Sequence, residues 1–85
     1  MKHEEIRMTL SIIKTCKFMA IIILKSKRVE PIIAKVNSFE YKGGETKVIL
    51  KRCEGTVFPG DTDDSKQENY ILALKDIKHV DKFDK

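Results

Sequence analysis

The hydrophobic and polar positions of this chain change period along its length, and each change marks an element. Between residues 3 and 16 the apolar positions Ile6, Leu10 and Ile13, followed by Cys16, fall at steps of four and three, the spacing of one helical face. Glu4 and Glu5 stand in the first turn of that segment and Lys14 and Lys17 near its end, a distribution that suits the helix dipole. Ile6, Met8, Leu10 and Ile12 also alternate with Arg7, Thr9 and Ser11, a pattern that fits a strand; the helix is the favoured reading. Residues 18–24 then form the longest uninterrupted apolar run, seven residues rich in isoleucine, and read as the buried first strand of a small sheet.

Short strands follow. Lys25-Ser26-Lys27-Arg28 reads as a hairpin turn and gathers three cations at one tip. Residues 29–41 form a long second strand, with Pro31 placed at an edge or bend where no ladder donor is required. Ile32, Ala34 and Val36 share one face of it, whereas Ile33, Lys35, Asn37 and Phe39 share the other, and a strand whose face changes character in this way is expected to bend strongly. Lys42-Gly43-Gly44-Glu45 is a turn signal between two strand-like runs. Residues 46–52 form the third strand, with Val48 and Leu50 inward and Lys47, Ile49 and Lys51 on the opposite face. The stretch 54–67 is irregular, long for a small domain, and therefore expected to be functional or mobile. A fourth strand over 68–74, a tight turn at Lys75-Asp76-Ile77 and a fifth strand over 78–83 anchored by Val80 complete the chain.

A helix followed by five short strands, with a tight turn immediately before the last, predicts a mainly β fold: an N-terminal helix and a five-stranded SH3-like or Sm-like barrel. Arg28-Val29-Glu30-Pro31, Tyr41-Lys42-Gly43-Gly44 and Leu74-Lys75-Asp76-Ile77-Lys78-His79-Val80 resemble the pattern of the WYL domains of bacterial regulators over roughly residues 10–83. The YolD-like family of small bacterial proteins is similar in the same order of elements. The WYL resemblance implies a barrel that binds a nucleic acid or nucleotide effector and regulates something. Thr46-Lys47-Val48 stands where that family carries its aromatic tripeptide, Lys75-Asp76 stands in place of its aspartate-arginine pair, and its winged-helix DNA reader has no counterpart in the chain.

Eighty-five residues suit one domain, because halves would be too small to bury a core of their own. A core of this size leaves only about 3–5 kcal/mol of stability, so a homo-oligomer or a partner is expected. Cys16 and Cys53 lie far apart with no cysteine or histidine at ligand spacing and read as two buried free thiols of a reducing cytoplasm, with a disulfide as the alternative. Met-Lys-His-Glu-Glu does not resemble a signal peptide, and seven apolar residues fall well short of the roughly 18 that span a membrane. The expected location is the cytoplasm, with no membrane association.

Charge adds a direction to this picture. Residues 1–42 carry nine Lys/Arg against four Glu, whereas residues 43–85 carry eight against nine acids, so the net charge of +4 resides in the first half. Lys25, Lys27 and Arg28, with Lys14, Lys17, Lys51 and Arg52, form one nucleic-acid-binding patch if the first hairpin and the third strand lie side by side. Lysines at strand tips also serve merely to keep edges soluble. Val57-Phe58, held between Gly55 and Pro59-Gly60, is either a plug under the barrel or a recognition tip for another protein.

Catalytic chemistry finds no support in the pattern. His3 and His79 are separated by most of the chain, with no nucleophile or carboxylate at a diagnostic spacing. Gly43-Gly44 lacks the lysine and hydroxyl of a phosphate loop. Asp61, Asp63, Asp64 and Ser65 alternate oxygen ligands as a calcium loop does, but Lys66 and Leu72 occupy the positions that require glycine and an acid, so no metal or cofactor is expected. The reading is a non-enzymatic binding module, a regulatory or accessory factor contacting nucleic acid or a nucleoprotein complex. The alternative is a protein-interaction adaptor, or a small inhibitor from a mobile element, acting through strand edges and the Val57-Phe58 loop.

Overall fold

The computed structural model describes residues 1–26 and 29–83. Helix α1 (His3–Thr15) forms where the apolar steps predict it, and buries Ile6, Leu10 and Ile13 while Glu4 and Glu5 offset its exposed N-terminal amides. Its end is a Schellman turn: the Lys17 N–H donates to the Lys14 carbonyl at 3.2 Å and the Phe18 N–H to the Ile13 carbonyl at 3.1 Å. This geometry places Lys17 in the left-handed region at φ 59°, a position where glycine is the usual occupant. The reversal feeds the chain directly into β1 (Met19–Leu24).

Strands β2 (Ile32–Lys42), β3 (Glu45–Lys51), β4 (Asn69–Ala73) and β5 (Ile77–Phe83) follow, with a single 3-10 turn, Leu74–Asp76, before the last. All neighbours are antiparallel, in the order β4-β3-β2-β1-β5, so the apolar run of β1 lies between two partners and β4 and β5 are the edges of an open sheet. The β2–β3 hairpin closes on Gly43 and Gly44 at φ 62° and 79°, the two positive values that a two-residue type I′ turn demands. The connection from β1 to β2 spans residues 25–31, longer than a four-residue hairpin turn, and Lys27 and Arg28 of the expected tip lie outside the described residues.

Two bulges decide which side chains reach the core. In β2, Val36 pairs with Leu50 and Ser38 with Ile49, so Asn37 is an extra residue and the face reverses after it. Phe39, expected opposite Ile32, Ala34 and Val36, therefore pairs with buried Val48 and packs on their side of the sheet. In β5, Ile23 pairs with His79 and Leu24 with Ile77, which leaves Lys78 as the extra residue. Ile77 and Val80, three apart, are both buried for this reason. The inner face thus assembled, from Ala20 and Ile22 through Leu50, Leu72 and Val80, is covered by α1 and by Phe58 from the loop after β3.

Holding a lysine in the left-handed region costs roughly 1–2 kcal/mol relative to glycine before the extra backbone entropy of glycine is subtracted. Lys17→Gly is expected to stabilise the fold by up to about 1 kcal/mol, which for a domain of this size raises the thermal midpoint by about 4–8 °C. A calorimetric scan showing no rise would mean that the Lys17 side chain itself stabilises the native state.

Candidate functional site

The long connection between β3 and β4 is organised around one guanidinium. The Arg52 N–H donates to the Glu68 carbonyl at 2.9 Å and so extends the β3–β4 ladder by one step. The side chain then turns into the loop: Nε donates to the Gln67 carbonyl at 2.7 Å, Nη1 to the Thr56 carbonyl at 3.0 Å, and Nη2 to both carboxylate oxygens of Asp61 at 2.7 and 2.8 Å. Its plane also lies over the Phe58 ring, 4.9 Å from the centroid. Asp61 accepts in addition the Phe58 N–H at 2.8 Å, and the Asp61 N–H returns to the Phe58 carbonyl at 3.1 Å. Phe58-Pro59-Gly60-Asp61 is thereby a type II turn, proline at its second position and Gly60 at φ 86° at its third. The hydrogen bonds from Arg52, and next that from the Phe58 amide, hold the Asp61 carboxyl below its ordinary pKa.

Thr56 closes the other side. Its hydroxyl donates to the Ile33 carbonyl at 2.7 Å and accepts the Cys53 N–H at 3.0 Å. Ile33 and Cys53 are the residues that would be opposed two steps on if the β2–β3 register continued past Lys51, so one side-chain oxygen bridges the gap between them. These bonds settle which role the aromatic of the loop takes. Phe58 is 1% exposed and stacks on Tyr70 at 5.3 Å between centroids, as a plug, whereas Val57 is 69% exposed. Phe58 therefore presents no surface to a partner, whereas Val57 does.

The described cations of the expected patch are spread over both ends of the sheet. Lys14 and Lys17 stand at the end of α1, ahead of β1, and Lys25 follows β1, whose six residues span roughly 20 Å. The first hairpin does lie beside β3, through β2, so that β1 itself is one strand removed from it. Arg52 is committed to the loop, and Lys27 and Arg28 lie outside the described residues. What the register does bring together is Lys51 with a residue that the sequence pattern passed over: Lys35 of β2 pairs directly with Lys51 of β3, both exposed on the outer face. Cβ atoms opposed in this way stand about 4.5–5.5 Å apart, where like charges repel. On the same face Lys47 is opposed by Glu40, but among the described residues no carboxylate forms an ion pair with Lys35 or Lys51. The alternation of β2 places Lys35 on the outer face; its partner could be found only from the pairing register.

Reactive groups remain dispersed. His3 of α1 and His79 of β5 are both exposed; Cys16 and Cys53, expected to be buried, are free thiols, the first exposed and the second half-buried, and the Cys53 thiol donates to the Lys51 carbonyl at 3.6 Å. Among the described residues no group of three His, Cys, Asp or Glu is placed to hold a metal ion, and no helix is long and apolar enough to cross a membrane. A shallow groove of about 410 Å³ runs between α1 and β2, lined by Glu4, Arg7, Met8, Ser11 and Phe39. A second, of about 380 Å³, lies between residues 29–31 and the Val57–Gly60 turn. No protein-family model, curated protein or solved structure matches the chain.

Two outcomes follow from the loop. Phe58→Ala is expected to cost roughly 3–5 kcal/mol, because it deletes a fully buried ring, and thermal denaturation would register it as a large drop in midpoint. A drop no larger than that of Val57→Ala would contradict the plug. Asp61, whose carboxyl is held low in the folded state, contributes stability that is complete above the unfolded carboxylate pKa of about 4 and is lost as pH falls through the lower folded value. The wild type is expected to lose thermal stability in that acid range by a component that Asp61→Asn, already destabilised at neutral pH, lacks; parallel pH profiles would refute it.

Proposed function

We propose that the chain is a non-enzymatic binding module of Sm-like or SH3-like type, an accessory or regulatory factor that contacts nucleic acid or a nucleoprotein complex through the outer face of β2 and β3. The order of elements supports the fold reading: a leading helix, five antiparallel strands, a bulge in β2, and a 3-10 turn before the last strand. The observation that carries the function is the Lys35–Lys51 pair. A directly opposed, exposed lysine pair destabilises a sheet by a few tenths of a kcal/mol up to about 1 kcal/mol, and a bound phosphate reverses the sign of that contribution. Asn69 continues the row beyond Lys51 and Met19 beyond Lys35, so the pair sits among uncharged neighbours.

A second reading is favoured by a different observation on the same face. Ile23 and Ile71 are exposed there, and Ile21, Ile33 and Ile49 are only partly buried, a composition that suits a protein partner better than a stack of bases. In that reading the lysine pair meets acidic side chains of an adaptor's partner.

Titration of the purified protein with single-stranded and duplex nucleic acid over a range of salt separates the two. Contact with phosphates gives a log K that falls linearly with log salt, and Lys35→Ala or Lys51→Ala is expected to reduce the slope by just under about one unit each. Lys51→Glu is expected to raise the thermal midpoint while weakening binding, a combination that loss of fold cannot mimic. Absence of binding to either nucleic acid at low salt would reject the first reading.

A further inference from the structure

The lysines stand where the β2–β3 ladder ends. Lys35–Lys51 is its last pair. Beyond it β2 continues beside β1, while Arg52 stays with the segment that leads into β4 and the loop begins. Across that parting the buried Thr56 hydroxyl donates to the Ile33 carbonyl at 2.7 Å and accepts the Cys53 N–H at 3.0 Å. One oxygen spans both groups only while β2 and the chain leaving β3 stay within hydrogen-bonding reach on either side of it, so this clasp has little slack. Two residues away on each strand, the opposed like charges of Lys35 and Lys51 push the same strands apart. The clasp also bears on the surface beyond it. Val57 follows Thr56 directly, and Val57–Gly60 form one wall of the groove of about 380 Å³ whose other wall is residues 29–31, upstream of Ile33 on the same chain segment. The Thr56–Ile33 bond therefore ties one wall to the other.

We propose that the Lys35–Lys51 pair and the Thr56 clasp form one anion-sensitive switch: repulsion between the two ammonium groups loosens the loop, and an anion that neutralises them tightens it. Closed, the strands hold the ammonium groups together; with the clasp open, the end of the ladder frays and they separate. An anion that contacts both lysines therefore binds the closed state better, which is the differential affinity that such coupling requires. By reciprocity, whatever favours the closed groove strengthens anion binding on the outer face. Arg52 sets the shape of the closed loop through Thr56, Asp61 and Gln67, and the lysines set how firmly it is held. The inference rests on the lysine pair as the anion contact of the function proposed above, but not on the anion being a nucleic acid.

Amide hydrogen exchange of the full chain at low salt tests this first without a ligand. Lys35→Gln and Lys51→Gln keep a long side chain and remove its charge. Each is expected to slow exchange of the bonded loop amides Thr56, Phe58 and Asp61 about two- to fivefold, the range set by opposed like charges, while the hairpin-tip amides Gly44 and Glu45 exchange as before. Pyrophosphate, at ionic strength matched with sodium chloride, is expected to slow the same loop amides in the wild type and not in the double variant. Thr56→Ser keeps the bridging oxygen and the response; Thr56→Val exchanges faster and loses it. Loop exchange indifferent to both lysine substitutions or to pyrophosphate, equal slowing at the hairpin tip, or a response that survives Thr56→Val would each overturn the proposal. A loop that responds to the substitutions and to pyrophosphate, in a protein that binds neither single-stranded nor duplex nucleic acid, would uphold the switch and reject the nucleic-acid reading.

Discussion

Covering the inner face of the sheet is the constraint on which the rest of this structure depends. One helix of thirteen residues supplies only Ile6, Leu10 and Ile13 to that face, and in so small a chain there is no second layer to add. Further cover comes from Leu74 of the 3-10 turn and from Phe58, which arrives from a loop rather than from an element. Burial of one such ring is worth about 1.5–3 kcal/mol, a large share of the few kcal/mol that a domain of this size can command. A loop holds a side chain in place only if the loop has one shape. Arg52 imposes that shape by bonding to Thr56, Asp61 and Gln67, and so a residue at the end of β3 governs whether the core is complete.

This division of roles sorts the basic residues into two populations. Arg52 has a fork of donors that matches several oxygens at once, and it is turned inward where that geometry is needed. The lysines are point charges on flexible stems and stand outward. Lys75 is tied to Glu45, an interaction that lowers the glutamate pKa and raises that of the lysine, and it joins the 3-10 turn to the start of β3. Lys35 and Lys51 have been given each other as neighbours instead. Charge on this protein is thus structural where it is paired and available where it is not, and net charge alone does not distinguish the two.

Much of the architecture was legible in local patterns, because periodicity and turn chemistry act over a few residues. The steps from Ile6 to Ile13, the apolar run before Lys25, and Gly43-Gly44 between two strand-like runs each named an element that the structure contains. The bulges were not legible: nothing in Asn37 or Lys78 distinguishes an unpaired residue from its neighbours, and simple alternation puts Phe39 on the face opposite to the one it occupies. The candidate site was legible only in part for a related reason. Val57-Phe58 could be seen as a special pair, but whether it was tucked or exposed depended on Arg52 meeting Asp61 nine positions away. Lys35 and Lys51, sixteen residues apart, become neighbours only through the strand register, which is a property of the whole sheet.

The extra residue at Asn37 has one more effect. It makes β2 two half-strands in opposite phase, one counted from β1 and the other from the glycine turn. Positions before Asn37 keep their inward and outward assignments whatever happens beyond it, because the phase is reset at the bulge. The hairpin arm that ends in Gly43-Gly44 is therefore modular: it can lengthen, shorten or change its surface while the layer formed by α1, β1 and the first half of β2 stays in step.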